Sequence, residues 1–482
     1  MKILLVKPPL NPNLLSPSRG EPLELEYLAA GVKEHKVEIL DMRVDGKFQK
    51  KLERFKPHLV GVTAYTCDVN MAMDVLKEVK KFDNRINTAI GGHHATFIPS
   101  DFAAPFVDVV FLGMSDFSFR EYVNINEEGG NVESVKNIAL RKNDGLHFTA
   151  QEAAVIDLDS LPLPARHLTL QYRKKYRDSM RNRTALIMTS RGCPFRCTFC
   201  ACWKMMNGKY FIRSPESVVE ELADLPDDID LVWVADDNTL HHVKRAWRLS
   251  ELLKERRIKK KFAMYARADK IVRHPDLIDS LKEAGLEYLT VGFESFRDEE
   301  LDELNKRTTV QTNNEAIRIL QKMGIGISAH LIVNPNYDEQ DFKELFNYVC
   351  EMNLFRLAFP VLTPLPGTEL YSKNYERLVI RDFSFYDFAH SIFPTKLDRK
   401  KFYSLYADLY RKSYSYSRYL KSKLRGLRST LSESKNHMLT NTDRISFFKL
   451  GIIQIFALPL YFKLKNSYRS EPLTQLHLSH HL

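Results

Sequence analysis

Short apolar runs alternate with amphipathic helical patterns through the first third of the chain. The helical patterns cover Leu23–Glu34 and Val69–Lys81. This alternation predicts a parallel sheet with helices on both faces, which would bind ligands at the carboxyl ends of its strands. The predicted strands are Ile3–Val6, Val37–Leu40, Leu59–Val62, Thr88–Ile90 and Val107–Leu112.

A second strand–helix series follows and predicts a barrel or partial barrel, with an active site at the carboxyl ends of its strands. Its predicted strands are Thr184–Thr189, Leu231–Ala235, Phe262–Ala266, Tyr288–Phe293, Gly326–Val333 and Leu357–Leu362. Its predicted helices are Pro215–Ala223, Val243–Glu255, Asp276–Ala284, Gln311–Met323 and Glu339–Met352.

These patterns divide the chain into four regions. We expect an α/β domain over residues 1–140, a linker over 141–180, the barrel over 181–370 and a helical, basic region over 371–482. Two prolines in Asp157–Arg166 favour an extended linker. The 482 residues suffice for two or three domains, and the apolar fraction of 44% excludes global disorder.

The formal net charge of +10 is concentrated near the C-terminus, where basic residues alternate with tyrosines. Leu450–Phe462 is strongly apolar but too short to cross a bilayer. Two interpretations stay open: an interfacial segment on an anionic membrane, or a helical cap on the barrel with a solvated basic face. Nucleic acid is not an expected partner, because no RNA-binding appendage is evident. The basic cluster comprises Arg399, Lys400, Lys401, Arg411, Lys412, Arg418, Lys421, Lys423, Arg425 and Arg428.

Four of the six cysteines fall between Cys193 and Cys202, which does not resemble the spread framework of a secreted disulfide protein. The first residues also lack the apolar stretch of a signal peptide. We therefore expect a reducing, cytoplasmic location, with possible contact at the inner face of the membrane through the basic region. Cys67 and Cys350 are isolated and are interpreted as buried residues.

The cysteine loop, Ser190–Cys200, directly follows a predicted strand. Cys193, Cys197 and Cys200 have C-x3-C-x2-C spacing, so three thiolates can hold three irons of a [4Fe-4S] cluster and leave the fourth iron open. An open iron can bind S-adenosylmethionine (SAM), whose sulfonium bond is then broken by an electron from the cluster. The alternative is a zinc site completed by Cys202, His241 or His242.

With its Arg191-Gly192 and Pro194, this loop resembles that of radical SAM enzymes, and other segments resemble the subgroup with an N-terminal cobalamin-binding domain. These segments are Asp236-Asp237-Asn238, Arg267-Ala268-Asp269, Gly292-Phe293-Glu294-Ser295, Leu304-Asn305-Lys306 and Thr363-Pro364-Leu365-Pro366-Gly367-Thr368. The resemblance implies a partial (β/α)6 TIM barrel. It also implies that Asp236, Arg267 and Glu294 contact SAM, although Asp236 and Glu294 can instead be salt-bridged carboxylates of the barrel rim and Arg267 can simply pair with Asp269.

The first region resembles the Rossmann-like (flavodoxin-like) cobalamin-binding module. Asp41, Arg43 and Gly46 stand where many such modules have D-x-H-x-x-G, so the histidine that would coordinate cobalt is replaced by a guanidinium, a poor metal ligand. Thr63 and the pair Gly91-Gly92 are expected to line the corrin site. The alternative is a Rossmann-like domain that no longer binds cobalamin.

The leading hypothesis is a cobalamin-dependent radical SAM C-methyltransferase acting on a lipid-like or polycyclic small molecule. The family's chemistry implies a deoxyadenosyl radical that removes hydrogen from an unactivated carbon, and an external electron donor such as flavodoxin or ferredoxin. Two alternatives remain: a radical cyclase or oxidoreductase resembling anaerobic magnesium-protoporphyrin ester cyclase, and a non-catalytic cobalamin or SAM sensor.

Overall fold

The computed structural model describes residues 1–12, 18–152, 157–415, 417–418 and 462–466. The basic residues from Lys421 to Arg428 and nearly all of Leu450–Phe462 lie outside these residues, so both interpretations of that apolar segment stay predictions. Within the described part of the chain, no helix is long and apolar enough to span a bilayer.

The first unit is a seven-stranded sheet with the strand order β2-β1-β3-β4-β5-β6-β7. The strands β1 to β5 are parallel in the flavodoxin-like order, and β6 and β7 continue the sheet antiparallel. The elements are β1 (Lys2–Lys7), α1 (Leu23–Gly31), β2 (Lys36–Asp41), α2 (Phe48–Phe55), β3 (Leu59–Thr63), α3 (Val69–Phe82), β4 (Asn87–Gly91), α4 (His93–Phe97), β5 (Val109–Phe111), α5 (Asp116–Glu127), β6 (Ile138–Lys142) and β7 (Gly145–Phe148).

Apolar side chains bury both faces of this sheet. One core joins it to α2 and α3 through residues such as Leu52 and Leu76. The other joins it to α1 and α5 through residues such as Leu25 and Phe119. The parallel strands therefore consist almost entirely of apolar residues, and the polar side chains lie at the strand ends.

The second unit is a six-stranded parallel sheet with the order β15-β14-β13-β12-β11-β8, which is the predicted partial barrel. Its elements are β8 (Thr184–Ile187), β9 (Ser190–Arg191), α6 (Cys202–Met205), β10 (Phe211–Ile212), α7 (Pro215–Asp224), β11 (Leu231–Val234), α8 (Val243–Glu255), β12 (Phe262–Ala266), α9 (Ala268–Arg273), α10 (Pro275–Glu283), β13 (Leu286–Glu294), α11 (Asp298–Glu303), α12 (Val310–Met323), β14 (Gly326–Leu331), α13 (Glu339–Glu351), β15 (Arg356–Ala358), α14 (Glu369–Asn374) and α15 (Arg399–Ser413).

The barrel helices begin where the sequence supplies caps. The Ser214 side chain accepts a hydrogen bond from the amide of Ser217, and Pro215 occupies the first turn of α7. Asp338 and Asp341 form a reciprocal capping box at the start of α13. The helix α12 ends at Gly324, whose φ of 69° is left-handed.

The segment predicted as a linker packs between the two units. Arg166 lies 3.3 Å from Glu21 of the first unit and 2.8 Å from Glu221 of the second, measured between nitrogen and carboxylate oxygen. The Thr169 hydroxyl donates to the buried Glu26 carboxylate on α1. Charged pairs buried in this way resist separation, because breaking one leaves an uncompensated charge.

The tyrosines of α15 cap the barrel edge. The Phe359 amide donates to the Tyr410 hydroxyl at 2.9 Å, and the Tyr406 hydroxyl donates to the Phe359 carbonyl at 2.7 Å. One turn further, the Tyr414 hydroxyl donates to the Leu357 carbonyl at 2.6 Å and accepts from its amide at 2.9 Å. The unpaired edge of β15 is thereby covered by hydroxyl groups that recur at helical spacing.

Several boundaries differ from the sequence-based expectation. The predicted strand Leu357–Leu362 ends at Ala358, because Pro360 has no amide hydrogen and interrupts the ladder. Only Val361 pairs again, as a single bridge with Val333. The strands β6 and β7 were not predicted, since their short runs mix charged and polar residues.

We expect Tyr410→Phe to lower the free energy of unfolding by about 1–3 kcal/mol, because the Phe359 amide would lose its acceptor at a buried edge. Urea unfolding followed by circular dichroism measures this change. Tyr375→Phe is the matched control: Tyr375 is 42% exposed, and within the described residues its hydroxyl makes no hydrogen bond. Equal stability of the two variants would contradict the edge-capping role.

Candidate active site

The cysteine loop leaves the carboxyl end of β8 through a short hairpin in which β9 pairs antiparallel with β10. Gly192 has a φ of 90°, and a Cβ atom there would lie 2.3 Å from the Lys209 carbonyl oxygen, so only glycine fits this exit. The loop is held by its backbone: the Thr198 amide donates to the Leu304 carbonyl at 3.1 Å, and the Leu370 amide donates to the Thr198 carbonyl at 2.9 Å.

The three predicted cluster ligands all lie on this loop, with Cys197 buried and Cys193 and Cys200 half-buried. Burial raises the pKa of the Cys193 and Cys197 thiols, whereas a hydrogen bond from the neighbouring Cys202 thiol lowers the pKa of Cys200. Three thiols on one short loop are the donor set of a cluster with an open iron. Within the described residues, no three His, Cys, Asp or Glu side chains are grouped to bind a single metal ion.

The two adjacent aspartates after β11 have different surroundings. Asp236 is buried and accepts four hydrogen bonds, from the amides and hydroxyls of Thr189 and Ser190, at 2.5–3.0 Å. Asp237 accepts the Gly192 amide at 2.9 Å and lines the cavity described below. Asp236 thus holds the start of the cysteine loop, and its predicted contact with SAM stays a prediction.

Arg267 lies against the cysteine loop. Its guanidinium is centred 3.7 Å from the ring of Phe195, and it donates to Asp269 at 2.8 Å and to the Lys306 carbonyl at 2.8 Å. Arg267 thus stabilises the cysteine loop through a cation–π contact with Phe195. The sequence-based alternative of pairing with Asp269 is thus observed, and a contact with SAM is left as a prediction.

Glu294 ends β13 at a register shift and has a φ of 65°, a left-handed conformation that is uncommon for glutamate. Its carboxylate accepts a hydrogen bond from Lys306 at 2.7 Å. A Cβ atom at Gly292 would lie 2.2 Å from the Glu294 carboxylate, which explains the glycine of the Gly292-Phe293-Glu294-Ser295 segment. The strained backbone turns this carboxylate toward the barrel mouth, near the cysteine loop.

A cavity of about 330 Å³ lies between the two units. Its first wall is formed by residues of β1, β3, β4 and β5 and the loops that follow them, and it includes Thr63, Gly91 and Gly92, whose contact with the corrin stays a prediction. A Cβ atom at Gly92 would lie 2.6 Å from the Ala64 carbonyl oxygen, so the backbone there passes unusually close to β3. A mostly apolar wall at strand ends suits a flat macrocycle.

The barrel supplies the opposite wall. The cavity is lined there by Leu186, Met188, Ala235 and Asp237, together with Cys202 at the start of α6. The sequence did not identify Leu186, Met188 or Ala235 as site residues. The pattern of a buried strand does not show which of its side chains face another domain. The Cys202 thiol forms a hydrogen bond with Cys200 and so lies beside the predicted cluster ligands. The cavity therefore connects the proposed corrin site with the barrel mouth.

Asp41, Arg43 and Gly46 are not among the residues that line this cavity. Asp41 is completely buried and accepts two hydrogen bonds from the Arg43 guanidinium, at 2.9 and 2.7 Å. Arg43 also donates to the Gly20 carbonyl at 2.8 Å. Arg43 is thus held by Asp41, and the predicted contact of these three residues with cobalamin stays a prediction.

Arg191 joins the cysteine loop to the first unit. Its guanidinium nitrogens lie 2.6 and 3.2 Å from the Asp116 carboxylate oxygens at the start of α5, and its guanidinium is centred 5.6 Å from the ring of Tyr27. Both charged side chains are largely buried. The residue two positions before Cys193 therefore fixes the loop relative to the sheet of the other unit.

This arrangement defines a class: a flavodoxin-like module facing the cysteine loop of a partial (β/α)6 barrel. Residues 15–123 match the family model described as B12 binding domain, and residues 187–349 match that of the radical SAM superfamily. The chain belongs to the radical SAM enzymes with a cobalamin-binding domain. Its cofactors are accordingly a [4Fe-4S] cluster, SAM and cobalamin.

Known relatives cover most of the chain. The hopanoid C-3 methylase of Methylococcus capsulatus is 27% identical over 393 residues, which is 80% of this chain and 75% of that protein. The anaerobic magnesium-protoporphyrin IX monomethyl ester cyclase of Rubrivivax gelatinosus is 29% identical over 365 residues, 74% of this chain and 65% of that protein.

Solved structures share the fold. The cobalamin-dependent SAM radical enzyme OxsB superposes with a TM-score of 0.70 at 17% identity, covering 95% of this chain and 72% of that one. The radical SAM methyltransferase TsrM of Kitasatospora setae superposes with a TM-score of 0.63 at 17% identity, covering 78% of each chain. The OxsB structure contains aqua-cobalamin and SAM, and the TsrM structure contains cobalamin and a [4Fe-4S] cluster.

Replacing Cys193, Cys197 or Cys200 by alanine should abolish the cluster, because a cubane held by three thiolates cannot lose one and stay bound. Anaerobic reconstitution followed by iron and sulfide analysis and visible absorption measures this loss. Cys350→Ala is the control and should reconstitute fully, since Cys350 lies on α13, outside the loop. A full cluster in any of the three loop variants would contradict their role as ligands.

Proposed function

We propose that this enzyme transfers a methyl group to an unactivated carbon of a lipid-like or polycyclic small molecule. The observation that supports this most directly is the shared cavity, which places the carboxyl ends of the first sheet opposite the cysteine loop. Radical formation and methyl donation then occur at one barrel mouth. The relatives named for hopanoid and bacteriochlorophyllide methylation act on polycyclic molecules.

The bound groups supply reductive cleavage of SAM and carriage of a methyl group. The net reaction would consume two SAM and two electrons: one SAM yields S-adenosylhomocysteine and the methyl group, and the other yields methionine and 5′-deoxyadenosine, which retains the hydrogen of the broken C–H bond. The electrons require an external donor such as flavodoxin or ferredoxin, which is part of this proposal.

The chain's own residues would position and shield these groups. Cys193, Cys197 and Cys200 would hold the cluster, and Glu294, held by Lys306, would offer a carboxylate to the amino group or ribose of SAM. The apolar wall of Leu186, Met188 and Ala235 would exclude water from the radical. Thr63, Gly91 and Gly92 would border the corrin.

We expect methyl-deuterated methionine, fed to cells that express the gene, to label a lipid-extract component that is absent from cells expressing Cys197→Ala. Mass spectrometry of the extract would show a gain of one deuterated methyl group. Purified reconstituted protein should release 5′-deoxyadenosine from SAM under a strong reductant.

Other outcomes identify the alternatives. A new ring ketone that carries oxygen from water, without methyl label, would indicate cyclase chemistry, as in the relative from Rubrivivax gelatinosus. No release of 5′-deoxyadenosine from protein with a full cluster would favour a sensor and contradict catalysis.

A further inference from the structure

The barrel strands present alternate side chains to the lumen. Along β13, Leu289 and Val291 belong to the outer core beneath the helices. Tyr288 belongs instead to a small inner cluster with Trp233. Because successive side chains of a strand point to opposite faces, Thr290 faces the lumen together with Tyr288.

The register places four polar side chains beside one another on this inner surface. Tyr265 on β12 is opposite Thr290 on β13, and Thr290 is opposite Ser328 on β14. His330 lies two residues beyond Ser328 on the same face of β14. We call these four residues the polar wall. Residues directly opposite on neighbouring strands point to the same face of a sheet, so the four side chains face the lumen together.

The other side of the lumen is apolar. In the same row, Met188 follows β8 and Ala235 follows β11, and both line the cavity between the two units. Leu186 lies one layer below them. The lumen is therefore two-sided: apolar on the side continuous with the proposed corrin site, and polar on the opposite side.

The polar wall lacks partners of its own. Across the described part of the chain, none of its four side chains makes a hydrogen bond, and the Thr290 hydroxyl is completely buried without a partner. Tyr265 nevertheless keeps 41% of its surface exposed, although it faces the barrel interior. Buried polar groups almost always have partners in folded proteins, and a molecule bound in the lumen would supply one for the Thr290 hydroxyl.

The four residues of the wall carry no charge, and the guanidinium of Arg356, which is opposite Ser328 on β15, stacks on the ring of Tyr288 one layer below at 4.0 Å. Three of its members are hydroxyls, and burial lowers the pKa of His330, which keeps its imidazole neutral. Of the other charges at the barrel mouth, Glu294 and Lys306 neutralise each other at 2.7 Å. Hydroxyls and neutral imidazole each donate and accept hydrogen bonds, which matches the donor and acceptor capacity of an alcohol.

We propose that the polar wall recognises a hydroxyl group of the substrate, so that the substrate is a lipid-like or polycyclic alcohol rather than a hydrocarbon. The hydroxyl would lie against β12–β14, and the apolar face would lie against Met188 and Ala235, toward the methyl donor. This inference rests on the proposed function and specifies the substrate class of that site. Because the polar and apolar walls lie on opposite sides of the lumen, they would fix which face of the substrate is turned toward the corrin.

The probes are 5α-cholestan-3β-ol and 5α-cholestane, which differ by a single hydroxyl. Each is radiolabelled, solubilised with cyclodextrin and equilibrated by dialysis against reconstituted full-length holoenzyme. We expect the alcohol to be retained about tenfold more strongly than the hydrocarbon, the effect of one or two neutral hydrogen bonds. Equal retention of the two probes, or retention of neither, would overturn the inference.

Matched variants assign the preference to the wall. Thr290→Val keeps the side-chain shape and removes the hydroxyl, whereas Thr290→Ser keeps the hydroxyl. The preference for the alcohol should fall severalfold in Thr290→Val and persist in Thr290→Ser. It should also fall in Ser328→Ala, a second variant that keeps the test valid if Thr290→Val misfolds. An unchanged preference in both hydroxyl-free variants would overturn the assignment.

The two proposals fail differently. Cluster and corrin content are measured in every variant, so that a lost preference in an assembled holoenzyme is attributed to the wall. Alcohol preference with no methyl label in any lipid would refute the proposed methyl transfer and support the wall. Methyl transfer to a hydrocarbon would support the proposed function and refute the wall.

Discussion

The buried ion pair between Arg191 and Asp116 sets the geometry on which the rest of the site depends. Arg191 belongs to the cysteine loop and Asp116 to the flavodoxin-like unit, so one contact joins the parts that hold different cofactors. Removing either partner would leave the other charge buried and uncompensated. A second tie, from Arg166 to Glu21 and Glu221, lies at the same interface. Radical chemistry needs this rigidity, because a reactive intermediate must meet its partner before it meets solvent.

The sequence predicted the two strand–helix series well, because buried parallel strands are continuous apolar runs and the helices carry explicit caps. It also placed the three cluster cysteines on a loop after the first barrel strand. It could not reveal the partners of the strand-end residues. Asp236 and Asp237 are adjacent in sequence, yet one is saturated by Thr189 and Ser190 while the other lines the cavity. The difference arises because successive side chains at the end of a strand point to opposite faces of the sheet.

The polar wall shows a related limit. Thr290 and Ser328 are ordinary strand residues in the sequence, and only the pairing register brings them next to each other. From the sequence, the tyrosines after Arg399 are interpreted as part of an interfacial or capping region. In the structure, Tyr414 binds the backbone of β15, and Tyr406 and Tyr410 bind the backbone of Phe359 directly after it. The sequence could not reveal these hydrogen bonds, because the tyrosines have the same helical spacing as the buried residues of any amphipathic helix.

The pair formed by Asp41 and Arg43 has a consequence for how the first unit responds to acidity. Although burial opposes it, the bond to Asp41 raises the pKa of Arg43, so the guanidinium keeps its proton throughout the biological range. A histidine in the same position would gain or lose its charge near neutrality. This half of the enzyme therefore carries, just after β2, a guanidinium whose charge does not vary with pH in the biological range.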